Sequence, residues 1–502
     1  MTTAEPAPPL LRPTLMVTLF AAALHAANFV IQMLIARLFG AGAAVDAFVA
    51  ANTLPQYIVT VLIGTLPVVF IPVLTSWAED SARVAGGVML IFGSATTLCA
   101  LAGIALAPQL IRLATPGLPT PTQQLAVKMA AILWPSIIAS ALVSLVTGLS
   151  HVRRQFTWPA AVPVIGTFLN VLLLVILSPR LGIMSAAVAA TANLAVQAAL
   201  ILPLAREPLS RIAPRPWAHP GVREVLALLW PLVLSGFLIR APLVVERYLA
   251  SNMPPGSIAH VAYASRITIL VSFLLSTGIA TVTFPRLAEN VASASYEMLG
   301  ANFATAIRSM WVVAAPATAA GILFARPLVE TFLQHGQFTA HDTDGVAMLL
   351  RVYLLAVAGS IGMITGRTLY ALKAMRLLAA VGAIEGLLYV VYTRLLVERI
   401  GVIGVAWGFV IYLLASVTWQ IAVIRHRIQW RGASATAIAL AKTAVAAILA
   451  AIAAAALASL VHRGWLQLAI GCAVVPTAYL PALSLINAAD ARTLRAALRR
   501  LV

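Results

Sequence analysis

The chain has 502 residues, of which 62% are hydrophobic and only 10% charged, and it carries a net charge of +18. A soluble domain needs about a quarter charged residues to cover its core, so the composition excludes a soluble enzyme. The basic surplus would suit nucleic acid, but it concentrates in alternate loops, which argues for a topology signal instead.

From the N-terminus, Met1–Pro13 is short, Pro-rich and carries Glu5. It lacks the basic region and small-residue cleavage site of a secretory signal, so the first span is expected to stay in the mature protein. Leu15–Ala36 carries no formal charge, and Ala433–Val461 carries only Lys442. Such runs exceed the ~20 residues that cross the hydrocarbon core as a helix. They do not alternate apolar with polar, as barrel strands would. The pattern predicts an all-α polytopic membrane protein of about fourteen transmembrane helices. The spans fall near 14–37, 46–76, 84–107, 125–149, 157–178, 182–204, 223–250, 259–284, 303–325, 346–372, 378–397, 401–424, 434–460 and 465–486.

Basic residues collect in every second loop. With the N-terminus in the cytoplasm, the inside segments hold Arg12, Arg83, Arg153, Arg154, the group Arg206, Arg211, Arg215 and Arg223, then Arg286, Arg308, Lys373, Arg376, Arg425, Arg427, Arg431, and finally Arg492, Arg495, Arg499 and Arg500. The opposite loops hold scattered ones such as Arg112, Arg180, Arg326, Arg399 and Arg463. This bias predicts two cytoplasmic termini, and the excess charge is drawn to anionic lipid headgroups.

The chain also resembles itself. Phe48-Val49-Ala50-Ala51 can be laid on Val261-Ala262-Tyr263-Ala264, and at the same offset Ile71-Pro72-Val73-Leu74 falls on Phe284-Pro285-Arg286-Leu287. Leu181-Gly182-Ile183 through Ala189 parallels Ile400-Gly401-Val402 through Gly408. Six spans therefore read twice, giving an N-terminal six-helix lobe at 1–205, a basic Pro-rich linker at 206–220 and a second six-helix lobe at 221–425. Residues 426–502 add two helices and a basic cytoplasmic tail. Units with an even number of spans enter the membrane from the same side, so the repeats are parallel, and two such bundles can rock about a central cavity. A duplication kept only for packing is the alternative.

Ionisable residues inside spans cost at least ~2.5–3.5 kcal/mol unless they face a cavity or a partner. His25 lies mid-span in the first helix, and Arg37 and Asp46 bracket the following turn. The seventh span carries Arg240, Glu246 and Arg247; at 3.6 residues per turn, the two arginines share a face. Arg266, Arg351, Arg367 and Glu385 follow. Arginines lining a cavity would grip a diphosphate bidentately and stay charged; the alternative is snorkelling to the interface. Glu246 with Glu385 is a candidate sodium site through oxygen ligands. Pro55, Pro67, Pro72, Pro231 and Pro242 favour bends.

Enzyme chemistry finds no footing: there is no Gly-rich phosphate loop, no metal-binding His-Glu-x-x-His and no nucleophile elbow. His335, His341, Asp342 and Asp344 cluster without ligand spacing and read as a solvated loop. Cys99 and Cys472, both within spans, read as apolar thiols with no disulfide.

The segment Ala36-Arg37-Leu38-Phe39-Gly40-Ala41-Gly42-Ala43-Ala44-Val45-Asp46-Ala47-Phe48 resembles the opening of the MurJ/MviN family, proposed lipid II flippases of peptidoglycan synthesis. Phe70-Ile71-Pro72-Val73-Leu74, Pro254-Pro255-Gly256-Ser257 with Tyr263-Ala264-Ser265-Arg266, Phe284-Pro285-Arg286-Leu287, and Gly336-Gln337-Phe338-Thr339 with Asp342-Thr343 extend the resemblance over roughly 15–425 in order. It implies the fold of the multidrug/oligosaccharidyl-lipid/polysaccharide exporter superfamily, alternating access, and an undecaprenyl-diphosphate-linked saccharide as substrate. It also implies a multi-pass protein of the bacterial inner membrane. Arg266 falls on a substrate-binding arginine of span 8, Asp46 on the acidic residue after span 1, and Glu246 on an acidic position linked to sodium. Ile31-Gln32 and Pro55-Gln56-Tyr57-Ile58-Val59-Thr60 replace the family's Arg-Asp pair of span 1 and Pro-Asn-x-x-Arg-Arg of span 2. His25 stands where many members carry a further arginine. The expected substrate-binding set is therefore Arg266, Arg240, Arg247, Arg37, Asp46, His25 and Arg367. No cofactor is expected beyond coupling sodium, and the default is a monomer among membrane lipids. An exopolysaccharide-intermediate flippase, a cation-coupled amphiphile exporter and a non-transporting scaffold are the other readings.

Overall fold

In lipid, a backbone satisfies its own N–H and C=O groups only as helix or closed barrel. In the computed structural model, which describes residues Leu11–Arg499, every regular element among those residues is helical. The N-terminal segment before Leu11, with Glu5, and Arg500 lie outside the described residues. Among the described residues thirteen segments are long and apolar enough to cross a membrane, and two compact units divide at Pro255–Gly256.

The first unit comprises α1 (Leu11–Phe39), α2 (Ala43–Ser76), α3 (Ser81–Ala105), α4 (Ala107–Ala114), α5 (Thr120–Leu133), α6 (Ser136–Val152), α7 (Thr157–Leu181), α8 (Met184–Ile201), α9 (Arg206–Ser210), α10 (Pro220–Ile239) and α11 (Pro242–Ser251). The linker is not loose here. It lies on α3, where a side chain at Gly86 would come within 2.2 Å of the Pro208 carbonyl oxygen.

Span 7, expected as one helix over 223–250, is α10 and α11 separated at Arg240–Ala241. Pro242 has no N–H to continue the ladder and instead opens α11, the position a proline tolerates. Both pieces pack within the first unit, α10 on α2 and α3, and α11 on α2 and α4. The other flagged prolines do not interrupt their helices: Pro55, Pro67 and Pro72 lie inside α2, and Pro231 inside α10.

The second unit comprises α12 (Ser257–Ala292), α13 (Tyr296–Leu323), α14 (Ala325–Leu333), α15 (Ala340–Tyr353), α16 (Gly362–Ala371), α17 (Met375–Ile400), α18 (Ile403–Arg427), α19 (Ala433–Ala458), α20 (Gly464–Ile486) and α21 (Ala488–Arg499). Span 10 is α15 and α16 joined by a 3-10 stretch, Leu354–Ile361. Eight residues is long for that tighter winding, which usually runs for about three or four. The basic tail is an amphipathic helix, α21, held by a polar clamp. Arg308 Nε of α13 bonds Asp490 Oδ1 at 2.9 Å, and Asp490 Oδ2 accepts from Asn487 Nδ2 at 2.7 Å and from Thr443 Oγ1 of α19 at 3.2 Å. Trp311 Nε1 to the Leu440 carbonyl and Tyr479 OH to the Val312 carbonyl, both at 2.9 Å, fix α19 and α20 on the same face of α13.

The two units share turn chemistry. Gly182 closes α7 at φ 54° and Gly401 closes α17 at φ 68°, a left-handed conformation that favours glycine. After α6, Arg154 takes φ 58° and Gln155 N bonds the Ser150 carbonyl; after α16, Lys373 takes φ 55° and Ala374 N bonds the Leu369 carbonyl. The short helices α4 and α14 stand at matching places, in segments expected to be loops.

Close packing of α3 against α5 rests on Gly103, where a Cβ would fall 2.1 Å from the buried Trp134 ring. Gly103→Ala is expected to cost about 1–3 kcal/mol by overpacking. Gly93→Ala, where the added carbon meets nothing within 4 Å, is expected to be neutral or to stabilise by about 0.5–1 kcal/mol. Thermal melts of the detergent-solubilised variants check the order; equal melting temperatures would refute the packing account.

Candidate functional site

In the first unit, α1 ends at Phe39 and the chain reverses through Gly40 and Gly42 into α2. Asp46 therefore falls in the first turn of α2, where a carboxylate complements the helix dipole. It is 1% exposed, and Glu246 and Arg247 of α11 are 4% and 5% exposed. Both carboxylates are engaged by neighbours, whereas Arg247 Nη1 has no hydrogen-bond partner among the described residues. Arg240 and Arg247 do not share a face as expected, because the helix breaks between them: Arg240 is exposed and Arg247 buried. Arg37 is exposed in the last turn of α1, and His25 is half-buried.

The positions aligned with the family's first-lobe arginines carry Ile31, Val59 and Thr60, none of them charged, with Ile31 buried and the other two half-buried. Beside them Gln32 is half-buried, and Gln56 Oε1 accepts from Asn52 Nδ2 at 3.3 Å. Next to it, the Tyr57 hydroxyl donates to the Phe237 carbonyl, tying α2 to α10.

In the second unit, Arg266 on α12 and Arg367 on α16 are half-buried on helices that pack together, and both are engaged by neighbours. Arg351 is exposed in the last turn of α15. Beside them runs a polar chain of residues the sequence reading did not single out. Thr365 Oγ1 of α16 donates to Gln420 Oε1 of α18, and Gln420 Nε2 donates to Ser416 Oγ at 3.1 Å. The Ser416 hydroxyl faces Glu385 of α17. Three uncharged polar residues within apolar spans were the available signal, but only folding unites positions up to 55 residues apart.

The segment read as a solvated loop with His335, His341, Asp342 and Asp344 is ordered instead. Thr339 caps α15 in a reciprocal capping box with Asp342, and His260 Nε2 of α12 lies 3.2 Å from Asp342 Oδ1. Arg326 Nε bonds Asp344 Oδ1 at 2.8 Å. No group of three or more potential metal-ligating side chains occurs among the described residues.

An apolar groove of about 500 Å³ runs between α12, α13 and α20, lined by residues such as Val271, Pro316, Ala320, Gly471 and Val475. It shares Val312, Val313 and Leu494 with a polar recess of about 430 Å³ bearing Arg308, Asp490 and Thr305. A hydrocarbon chain and a polar group can thus be accommodated side by side within this unit.

Stacked spans, two inserted surface helices and buried ionisable side chains define a polytopic membrane protein with the fold of the MOP transporter superfamily. A solved structure of the lipid II flippase MurJ in an inward closed conformation superposes with TM-score 0.80 at 20% identity, covering 93% of this chain and 98% of that one. An inward-facing multidrug-resistance MATE transporter of the MOP superfamily gives 0.70 at 18% identity, covering 81% of this chain and 94% of that one. A lipid II flippase MurJ of Burkholderia cenocepacia is 27% identical over 345 residues, 66% of this chain and 67% of the relative. The family model described as lipid II flippase MurJ matches residues 35–473, and the chain belongs to that family.

Gln420→Leu removes the acceptor of the buried Thr365 hydroxyl. Hydrogen bonds between membrane helices contribute about 0.6–1.7 kcal/mol, so a loss of that size is expected, read as a lower melting temperature in detergent. Adding Thr365→Val should then cost little more. Full additivity of the two substitutions would mean that the groups do not interact.

Proposed function

We propose that this protein flips an undecaprenyl-diphosphate-linked saccharide, lipid II or a close analogue, across the bacterial inner membrane by alternating access. The observation that carries this reading is the family match over residues 35–473. The chemistry of the second unit agrees with it. A lipid carrier needs a dry apolar wall for its chain, which the groove along α13 and α20 offers. A diphosphate needs cations that stay charged and pair bidentately, a task suited to Arg266 and Arg367. In the first unit His25, Arg37, Asp46, Arg240 and Arg247 remain the substrate-facing candidates, and Glu246 the carboxylate proposed to couple sodium. The loop charge bias supports two cytoplasmic termini. Each chain is proposed to act as a monomer on the lipid-linked saccharide.

A second reading, a flippase for an exopolysaccharide intermediate, is favoured by one feature. The family's first-lobe arginine positions are neutral here, with Gln32, Gln56, Tyr57 and Thr60 in their neighbourhood. A first lobe with less positive charge suits a carrier whose recognition leans on the sugar more than on the diphosphate.

Complementation tests the proposal: the lipid II flippase of a tractable bacterium is depleted while this chain is expressed, as wild type and as Arg266→Ala. Rescue by the wild type is expected. The variant should lose a charge-assisted contact of about 1.5–3 kcal/mol and with it roughly ten- to a hundredfold of flipping rate. No rescue despite confirmed membrane insertion would reject lipid II as the substrate and favour the second reading.

A further inference from the structure

The offset that lays Gly182 on Gly401 also lays Gly166 on Glu385, Asn170 on Tyr389, Asn193 on Tyr412 and Gln197 on Ser416. The same helix crossing, α7 with α8 and α17 with α18, is thus built twice from different chemistry. In the first unit the crossing is neutral. Gly166 admits no side chain, since a Cβ there would lie 2.5 Å from Asn193 Oδ1 and 2.6 Å from Gln197 Cγ, and Gln197 Nε2 donates to Asn193 Oδ1 at 2.7 Å. In the second unit a serine stands where the glutamine was, and a carboxylate where the glycine was. Packing does not require that charge, because the sister crossing closes without one. An ionisable group inside a span is costly enough that a function is its usual reason.

What surrounds Glu385 suits a proton. A metal ion would need several oxygen ligands with free lone pairs. Here Ser416 Oγ already accepts from Gln420 Nε2, which leaves its hydroxyl hydrogen for Glu385. Trp419 lies close enough to influence the carboxylate, and its buried Nε1–H has no hydrogen-bond partner among the described residues. The titratable and charged groups on the helices around it are Arg367 and Tyr370 of α16, Arg376, Tyr389, Tyr392, Arg394, Glu398 and Arg399 of α17, and Tyr412, Arg425, His426 and Arg427 of α18. Tyr392 and Tyr412 are close enough to interact with one another, and Tyr392 with the Glu385 charge.

We propose that Glu385 is a proton-binding site, and that the chain Thr365–Gln420–Ser416 passes its protonation state to the packing of α16 on α18. As a carboxylate, Glu385 attracts the Ser416 hydroxyl. Once it takes up one proton it is neutral, with one O–H to donate and a carbonyl oxygen that accepts more weakly, so the Ser416 hydroxyl is released toward a carbonyl of the preceding helical turn. α16 follows the 3-10 stretch of span 10, so the change arrives beside a segment that is already irregular. As the coupling step of transport this deepens the flippase reading and rests on it; as a proton site it does not.

The test is infrared difference spectroscopy of the full-length protein in liposomes, stepped from about pH 8 to about pH 5, where shifted carboxylates titrate. A protonated-carboxyl band should appear in the wild type, be lost in Glu385→Gln and survive in Glu398→Gln, whose exposed carboxylate pairs with Arg394. Ser416→Ala should keep the band but shift its frequency. A band retained in Glu385→Gln would overturn the site, and an unshifted band in Ser416→Ala would overturn the relay. Flipping of a fluorescent undecaprenyl-diphosphate-linked disaccharide, followed across the same range, should depend on pH in the wild type and lose that dependence in Glu385→Gln. A wild type that flips nothing at any pH defeats the flippase reading, while the infrared bands still decide the proton site.

Discussion

Everything in this molecule answers to one constraint: inside a bilayer, an unpaired backbone amide or carbonyl costs several kcal/mol. The constraint disfavours strands and long loops in the membrane interior, and among the described residues every spanning element is helical. It also governs the irregularities. The break at Arg240–Ala241 is bridged by Leu243 N to the Arg240 carbonyl and Val244 N to the Ala241 carbonyl, so the chain changes helix with little backbone left unpaired. Around Leu354–Ile361 the answer is tighter winding in place of a loop. Hydrophobicity gives no drive for helices to associate once they are in lipid, so small residues and polar contacts do that work. Gly103 under Trp134 and the Arg308–Asp490 pair show the two devices at different depths.

The two units use the same turns but spend polarity differently. In the first, buried charge gathers on α2 and α11, while the crossing of α7 with α8 is held by side-chain amides. In the second, a carboxylate stands in the crossing at Glu385, and beside it a chain of hydroxyl and amide groups joins α18 to α16. The left-handed closures at Gly182 and Gly401, and at Arg154 and Lys373, constrain the backbone tightly. The side chains between them were free to diverge.

The spans were legible because long apolar runs have a single solution in lipid, and the turn from Arg37 to Asp46 was legible because its glycines and its acid stand together. The break in span 7 was half visible: Pro242 announced a disturbance, but not that Arg240 would end exposed and Arg247 buried. In Leu354–Ile361 only the Gly359-Ser360 pair, inside an otherwise apolar stretch, hints at a tighter winding. The helices α4 and α14 passed for loops because each is short and amphipathic, less apolar on average than a span although one face is apolar at helical spacing. Asp342 looked like one of several solvated acids, since its partner His260 lies 82 residues away. Thr365, Ser416 and Gln420 escaped notice for a related reason: a hydroxyl or amide in a span is unremarkable until its neighbour is known.

The clamp on α21 carries a consequence for biosynthesis. Arg308 and Asp490 are 182 residues apart, and chains emerge at about 5–20 residues per second, so the arginine waits roughly ten to forty seconds for its acid. Throughout that interval a guanidinium stands on α13 without the carboxylate that neutralises it in the finished fold. Until α21 has been made, the second unit lacks the acid that completes this clamp. A chain cut short before Asp490 would present the insertion and quality-control machinery with an unmatched charge beside an uncovered apolar groove, a ready mark of incompleteness.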